Sequence, residues 1–281
     1  MALMTNFIKR TLSSIAFVGI MLAALLLNKI VFGVIMSFAL VVMMKEFFNM
    51  TCGKNYWFSQ ILSIFSGLSL FILVFLFKGF GLPGRLVVLV FIPVFILMIN
   101  SLYVKDKTRF DKFSNLYTAI LYIAVPWSLL NFAVFSPTGE FNGTLLLAFF
   151  CIIWGSDVGA YLFGITLGQK YGKKLFPSIS PKKSWIGFWG GLAASIGIAV
   201  GLKYLGLLPF DLLHCICMAV LLDVTGVYGD LIESQWKRHY DVKDSGKIIP
   251  GHGGLLDRFD SALIAIPVGI IYLVAWNVLF V

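Results

Sequence analysis

Charge is scarce in this 281-residue chain. Asp, Glu, Lys and Arg make up 12% of it, about half of the ~25% usual in soluble domains. With 59% apolar residues and a mean hydropathy of +0.94, the chain has more apolar surface than one core can hide. The excess has to face lipid, which excludes an ordinary soluble protein and makes the net charge of +9 no sign of nucleic acid. Cysteine is equally sparse. Cys52, Cys151, Cys215 and Cys217 form no CxxC and no metal spacing, so neither a thiolate metal site nor a disulfide framework is implied. Small thiols inside apolar runs simply pack. No Walker-type phosphate loop is present. In "GQKYGKK" (168–174) three residues, not four, separate the glycines, and no Ser or Thr follows the lysines. No convincing small-x-small cleavage site precedes Asn28 and eight further apolar runs follow, so Lys9-Arg10 and the apolar run after them read as an uncleaved first helix, not a secretory signal.

What the chain does have is a series of apolar runs long enough to cross a bilayer, each needing roughly 17–25 residues. Nine are expected, near 11–28, 30–49, 57–77, 84–103, 113–136, 142–167, 183–207, 209–233 and 259–280. The fold class is therefore all-α and polytopic. With the N-terminus inside, only Lys29, Lys78, Arg85 and Lys203 fall outside, leaving 18 of the 22 basic residues on the cytoplasmic face. That is the asymmetry of the positive-inside rule, and dropping one span would scramble it.

The chemistry divides the chain near residue 140. Residues 1–140 are mostly spans of Leu, Ile, Val and Phe, with no acid inside any span apart from Glu46 near a span end; they read as a scaffold. Residues 141–281 carry the acids, and an ionisable group in a span suggests function, since it costs at least ~2.5–3.5 kcal/mol at the centre. "GDLIES" (229–234) and "LDRFDS" (256–261) repeat one pattern, Asp-x-x-acid-Ser. On a helix, i, i+3 and i+4 share a face, so Asp230 with Glu233, and Asp257 with Asp260, each present two carboxylates and a hydroxyl. The two stretches lie at the cytoplasmic ends of consecutive spans and can converge. Four carboxylates need either a hard divalent cation held by oxygen or ion pairs with Arg258, Arg238 and Lys237; the metal reading is preferred. Asp223, two turns before Asp230, either extends the polar path or bonds a neighbouring helix, and the second is preferred. Asp157, between Gly155-Ser156 and Gly159, reads similarly, although the glycines allow a close approach.

Two basic loops share that face. "WKRHYDVKDSGKIIPGHGG" (236–254) brings Lys237, Arg238, Lys243 and Lys247 to a glycine turn that ends where a helix begins. Backbone N–H groups at a helix start form an anion site. His252, between glycines, contacts either phosphate or the turn backbone. In "PSISPKKSWIG" (177–187) Ser180 is expected to cap a helix, Pro181 to enter its first turn, and Lys182 and Lys183 to flank its positive end. Basic loops often only set orientation, but two of them beside an acidic cluster suit a metal–polyphosphate site.

The stretch "SQWKRHYDVKDSGKIIPGHGGLLDRFDS" (234–261) resembles the signature of the phosphatidate cytidylyltransferases, in Ser234, Lys237-Arg238, Lys243-Asp244, His252-Gly253-Gly254, Asp257-Arg258 and Asp260. "SDVGAYLFG" (156–164) and "SISPKKSW" (178–185) are also similar to that family. The resemblance covers the C-terminal half; the first half matches only as a set of spans. One position departs: after "KKSW" the family often has Glu or Gln, where this chain has Ile186.

The resemblance implies transfer of CMP from CTP to phosphatidate in phospholipid biosynthesis, with Mg²⁺ required, room for a second, monovalent cation, and a multi-pass protein of the bacterial inner membrane, homodimeric in one reading. It implies Asp230 and Asp257 as metal holders, with Asp260 and Glu233 in support. Lys237 and Arg258 join the acids in the catalytic set. Lys182, Lys183, Arg238, Lys243, His252, Gly253 and Gly254 are the expected phosphate contacts. Two rivals fit the composition. A cation-coupled transporter is disfavoured because the acids cluster at one face and no repeat of spans is evident. A CTP-dependent polyprenol or phytol kinase is disfavoured by the density of the 234–261 resemblance.

Overall fold

The computed structural model describes residues 2–104 and 110–278, and side chains from Arg10 onward outside those gaps. Lys105, Lys107 and Arg109 of the charge count, and the end of the last expected span, lie outside the described residues, as does the side chain of Lys9. The helices are α1 (Ala2–Leu26), α2 (Lys29–Thr51), α3 (Trp57–Phe80), α4 (Gly84–Tyr103), α5 (Phe110–Val134), α6 (Thr144–Tyr171), α7 (Trp185–Tyr204), α8 (Leu212–His239) and α9 (Leu256–Ala275). Among the described residues eight, α2–α9, are long and apolar enough to cross a membrane; the ninth expected span falls on α1, whose Arg10–Leu26 stretch is apolar but shorter. The protein is a polytopic membrane protein. A two-stranded antiparallel hairpin, β1 (Lys174–Phe176) and β2 (Ser180–Ser184), interrupts the helices.

The chain forms two compact units, 1–142 with 240–258, and 143–239 with 259–281. In the first, α2 starts at Asn28, whose side chain accepts from Ile30 N and Val31 N at 3.0 Å, a standard cap. The core is aromatic: Phe32 meets Phe71, Phe75 and Phe135 with ring centroids 6.3–6.5 Å apart. Gly33 admits the Phe75 ring, which a Cβ would meet at 2.8 Å. Buried Trp127 satisfies its indole on Met36 O at 2.9 Å, as a buried Trp N–H must.

The second unit is closed by small residues. Gly187, Gly190 and Gly191 of α7 face Gly159, Ala160 and Phe163 of α6 so closely that a Cβ on Gly190 would meet Phe163 at 2.5 Å. Lipid gives no hydrophobic push between helices, so close backbone approach and dispersion hold them together. Gly229 of α8 likewise admits the backbone of α9, where a Cβ would meet the Asp260 carbonyl oxygen at 2.6 Å. These contacts bring the polar ends of α6, α7, α8 and α9 to one place.

Candidate active site

The second unit contains a cavity of about 380 Å³. Asp157 and Tyr161 of α6, Lys182 and Lys183 of β2, Asp230 of α8 and Asp260 of α9 lie on its wall. Its other surfaces include Ile165, Leu175, Phe188 and Val227, so one space is carboxylate- and ammonium-lined on part of its wall and apolar on the rest. Such a wall suits an ionic head attached to an apolar body.

The Lys183 ammonium stands 2.5 Å from Asp230 Oδ2, and Ser234 donates to Asp230 Oδ1 at 3.2 Å. Asp260 accepts from Ser261 N at 2.7 Å. Three carboxylates around one cavity repel, and the lysine on Asp230 relieves part of that charge. Glu233 does not face this space with Asp230. Its side chain is 1% exposed and pairs with Lys237 one turn on, so Lys237 neutralises a buried acid within α8. Arg238 reaches Ile179 O at 3.5 Å, at the margin of a hydrogen bond. Both basic residues belong to the last turn of α8, which runs to His239 and not to 233 as expected; cations there favour the helix end.

Ser180 is not the helix cap. It begins β2, and Ser184 caps α7 by accepting from Gly187 N at 3.2 Å. Pro181 is therefore in a strand, where the end of α6 gives the hairpin its support: Gln169 donates to Lys182 O at 2.9 Å, and Lys174 donates to Gln169 Oε1 at 2.8 Å. Both lysines of β2 line the cavity, but Lys183 pairs with Asp230 while the side chain of Lys182 is exposed.

The glycine turn belongs to the first unit. Asp257 accepts there from Gly254 N at 2.7 Å and from Ser245 N at 3.0 Å, and Leu256 N donates to Glu46 at 2.9 Å. The N–H groups at the start of α9 thus hold two carboxylates of the chain itself. Gly253 (φ +88°) and Gly254 are required because a Cβ on either would lie within 2.8 Å of Asp257, Glu46 or Ser245 oxygens. His252 bonds Ser13 through Nδ1 at 3.0 Å and Ser14 through Nε2 at 3.2 Å. Burial first, then the charges of Arg258 and Arg10, hold its pKa below its usual range. Arg258 is exposed and donates to His252 O at 3.1 Å; Lys243 is exposed in the same loop.

The cavity donors fit a hard divalent ion by type, since all are oxygens. Among the described residues no three His, Cys, Asp or Glu side chains gather as a ready ligand set, so a bound ion would need waters, substrate oxygens or a neutral oxygen besides Asp157, Asp230 and Asp260. Sequence reasoning sets Asp157 aside as structural and has no reading of Gln169. The small residues flanking Asp157 are the available signal. Nothing local marks Glu46 as the partner of a backbone 210 residues away.

Comparison with known proteins shows the family. The model of the cytidylyltransferase family matches residues 8–276. The chain is 33% identical over 258 residues to a phosphatidate cytidylyltransferase of Staphylococcus epidermidis (strain RP62A), covering 92% of this chain and 95% of that one. The same figures hold for one of Staphylococcus aureus (strain COL). A Bacillus subtilis (strain 168) phosphatidate cytidylyltransferase is 38% identical over 174 residues, covering 62% and 63%. A membrane-spanning chain matched over nearly its whole length, with an acid-lined, lysine-bearing cavity among its polar helix ends, belongs to the cytidylyltransferase family and is a nucleotidyltransferase.

Proposed function

We propose that the enzyme transfers CMP from CTP to phosphatidate, giving CDP-diacylglycerol and diphosphate at the cytoplasmic face of a bacterial membrane. A phosphate oxygen of phosphatidate bonds to the α-phosphorus of CTP, and the bond from that phosphorus to the α,β-bridging oxygen breaks. A phosphate monoester has a second pKa near 6, so the nucleophile is already largely dianionic at neutral pH and no strong general base is needed. The work left is to bring two polyanions together and to stabilise the leaving diphosphate, which is positioning and charge neutralisation.

Lys183 is suited to that task, because it stands at the cavity acids on a hairpin fixed by Gln169. Lys182, on the same cavity wall, and Arg238 are further phosphate contacts in this reading. Asp230 and Asp260, with Asp157, would hold Mg²⁺, which when bound supplies positive charge at the reacting phosphates. The apolar part of the cavity wall takes the glycerol end of the lipid, whose acyl chains stay in the bilayer.

The observation that carries the reading is the Lys183–Asp230 pair on the wall of a cavity that is ionic on one part and apolar on another. The test uses purified protein in detergent with phosphatidate and CTP labelled at either the α- or the γ-phosphate. Label entering lipid from the α-position alone is expected. Label entering from the γ-position would make the protein a lipid kinase, and no lipid label at all would end the proposal.

A further inference from the structure

Asp223 lies in the interior of α8 and is 1% exposed. An acid at such a place is costly, and the structure gives it little return in packing. Its Oδ1 accepts the hydroxyl of Ser156, and its Oδ2 has no hydrogen-bond partner among the described residues. Ser156 itself lines the cavity, beside Asp157 and together with Asp230 and Asp260. A hydroxyl has one proton and two lone pairs. With the proton committed to Asp223, the Ser156 oxygen can only accept from the cavity side. That polarity suits a cation, and it adds an oxygen without adding to the repulsion among the three acids.

We propose that Ser156 is a neutral oxygen ligand of the divalent cation this cavity takes, and that Asp223 is the positioning residue that keeps its hydroxyl in the accepting orientation. The inference rests on the cytidylyltransferase reading for the presence of the cation. It supplies what the carboxylates alone lack, since no three acids gather as a complete set among the described residues. Outer partners that orient a ligand typically control metal affinity by about 10–100-fold. α7 passes close on this side, since a Cβ on Gly191 would lie 3.0 Å from the Ser156 hydroxyl.

The test is Mn²⁺ binding to the purified full chain in detergent without nucleotide, followed by the spin-resonance signal of free Mn²⁺. Ser156→Ala and Asp223→Leu should each weaken binding about tenfold or more, and the double variant should be little weaker than either alone. Asp223→Leu should also melt no lower than the wild type, because it removes a buried acid from an apolar span. Asp223→Asn still offers an oxygen to the Ser156 proton and should recover most of the affinity. Unchanged Mn²⁺ affinity in Ser156→Ala would overturn the proposal, and that variant decides the matter if Asp223→Leu does not fold. Asp223→Asn binding as weakly as Asp223→Leu would assign the effect to charge and overturn the orienting role. Wild-type protein that transfers CMP but binds no Mn²⁺ would overturn this inference alone; protein that binds Mn²⁺ with these variant effects but transfers no CMP would overturn only the proposed reaction.

Discussion

Lys183 and Lys182 are neighbours of the same type, yet the structure gives them different work. Lys183 stands on Asp230 at 2.5 Å, whereas the side chain of Lys182 is exposed and its carbonyl anchors the hairpin. Lys183→Gln should therefore raise KM for CTP or phosphatidate about tenfold, equivalent to roughly 1.4 kcal/mol, with Lys182→Gln changing it less. Steady-state kinetics on folded protein checks this, and equal effects would return both residues to being orientation signals. At this scale the sequence is readable where chemistry is local. Asp230, Asp260 and Lys183 stand out by residue type and spacing, and all line one cavity. The partners of Asp257 and His252 do not, because they depend on backbone N–H groups and on Ser13 and Ser14, which come together only after folding.

Among the elements, the helices are legible and the hairpin is not. Long apolar runs fix where a chain crosses lipid, so α3, expected at 57–77, spans Trp57–Phe80. The five residues of β2 carry no strand periodicity that outweighs a Ser-Pro pair read as a helix start; their strand geometry comes from pairing with β1 and from Gln169. The last turn of α8 carries a second consequence. Lys237 is paired with a Glu233 side chain that is 1% exposed, and removing one partner of a buried pair costs about 3–5 kcal/mol. Lys237→Met should lower the melting temperature clearly, and Glu233→Gln with Lys237→Met should recover part of the loss. A single variant of normal stability with a raised KM would instead place Lys237 on substrate phosphate. The glycine seam between α6 and α7 makes a similar demand: Gly190→Leu would drive a side chain into Phe163 and should abolish folded protein in size-exclusion profiles.

For the whole molecule, the arrangement of charge predicts the sidedness on which the reaction depends. In a variant whose four cysteines are Ser, new cysteines at the exposed positions Glu140 and Asp211 should react with an impermeant reagent added outside intact cells, and one at Lys243 only after lysis. The opposite pattern would remove the cytoplasmic face from the proposal. The central claim is that the acid-lined cavity of the second unit carries out CMP transfer, and Asp230 tests it most directly. Asp230→Asn keeps the shape of the side chain but removes the charge that holds Lys183 and would hold Mg²⁺. Transfer of CMP to phosphatidate, measured against Mg²⁺ concentration with melting temperature followed on the same preparation, should fall at least about a hundredfold in turnover while the protein stays folded. Near-wild-type turnover at ordinary Mg²⁺ in folded Asp230→Asn would contradict the account.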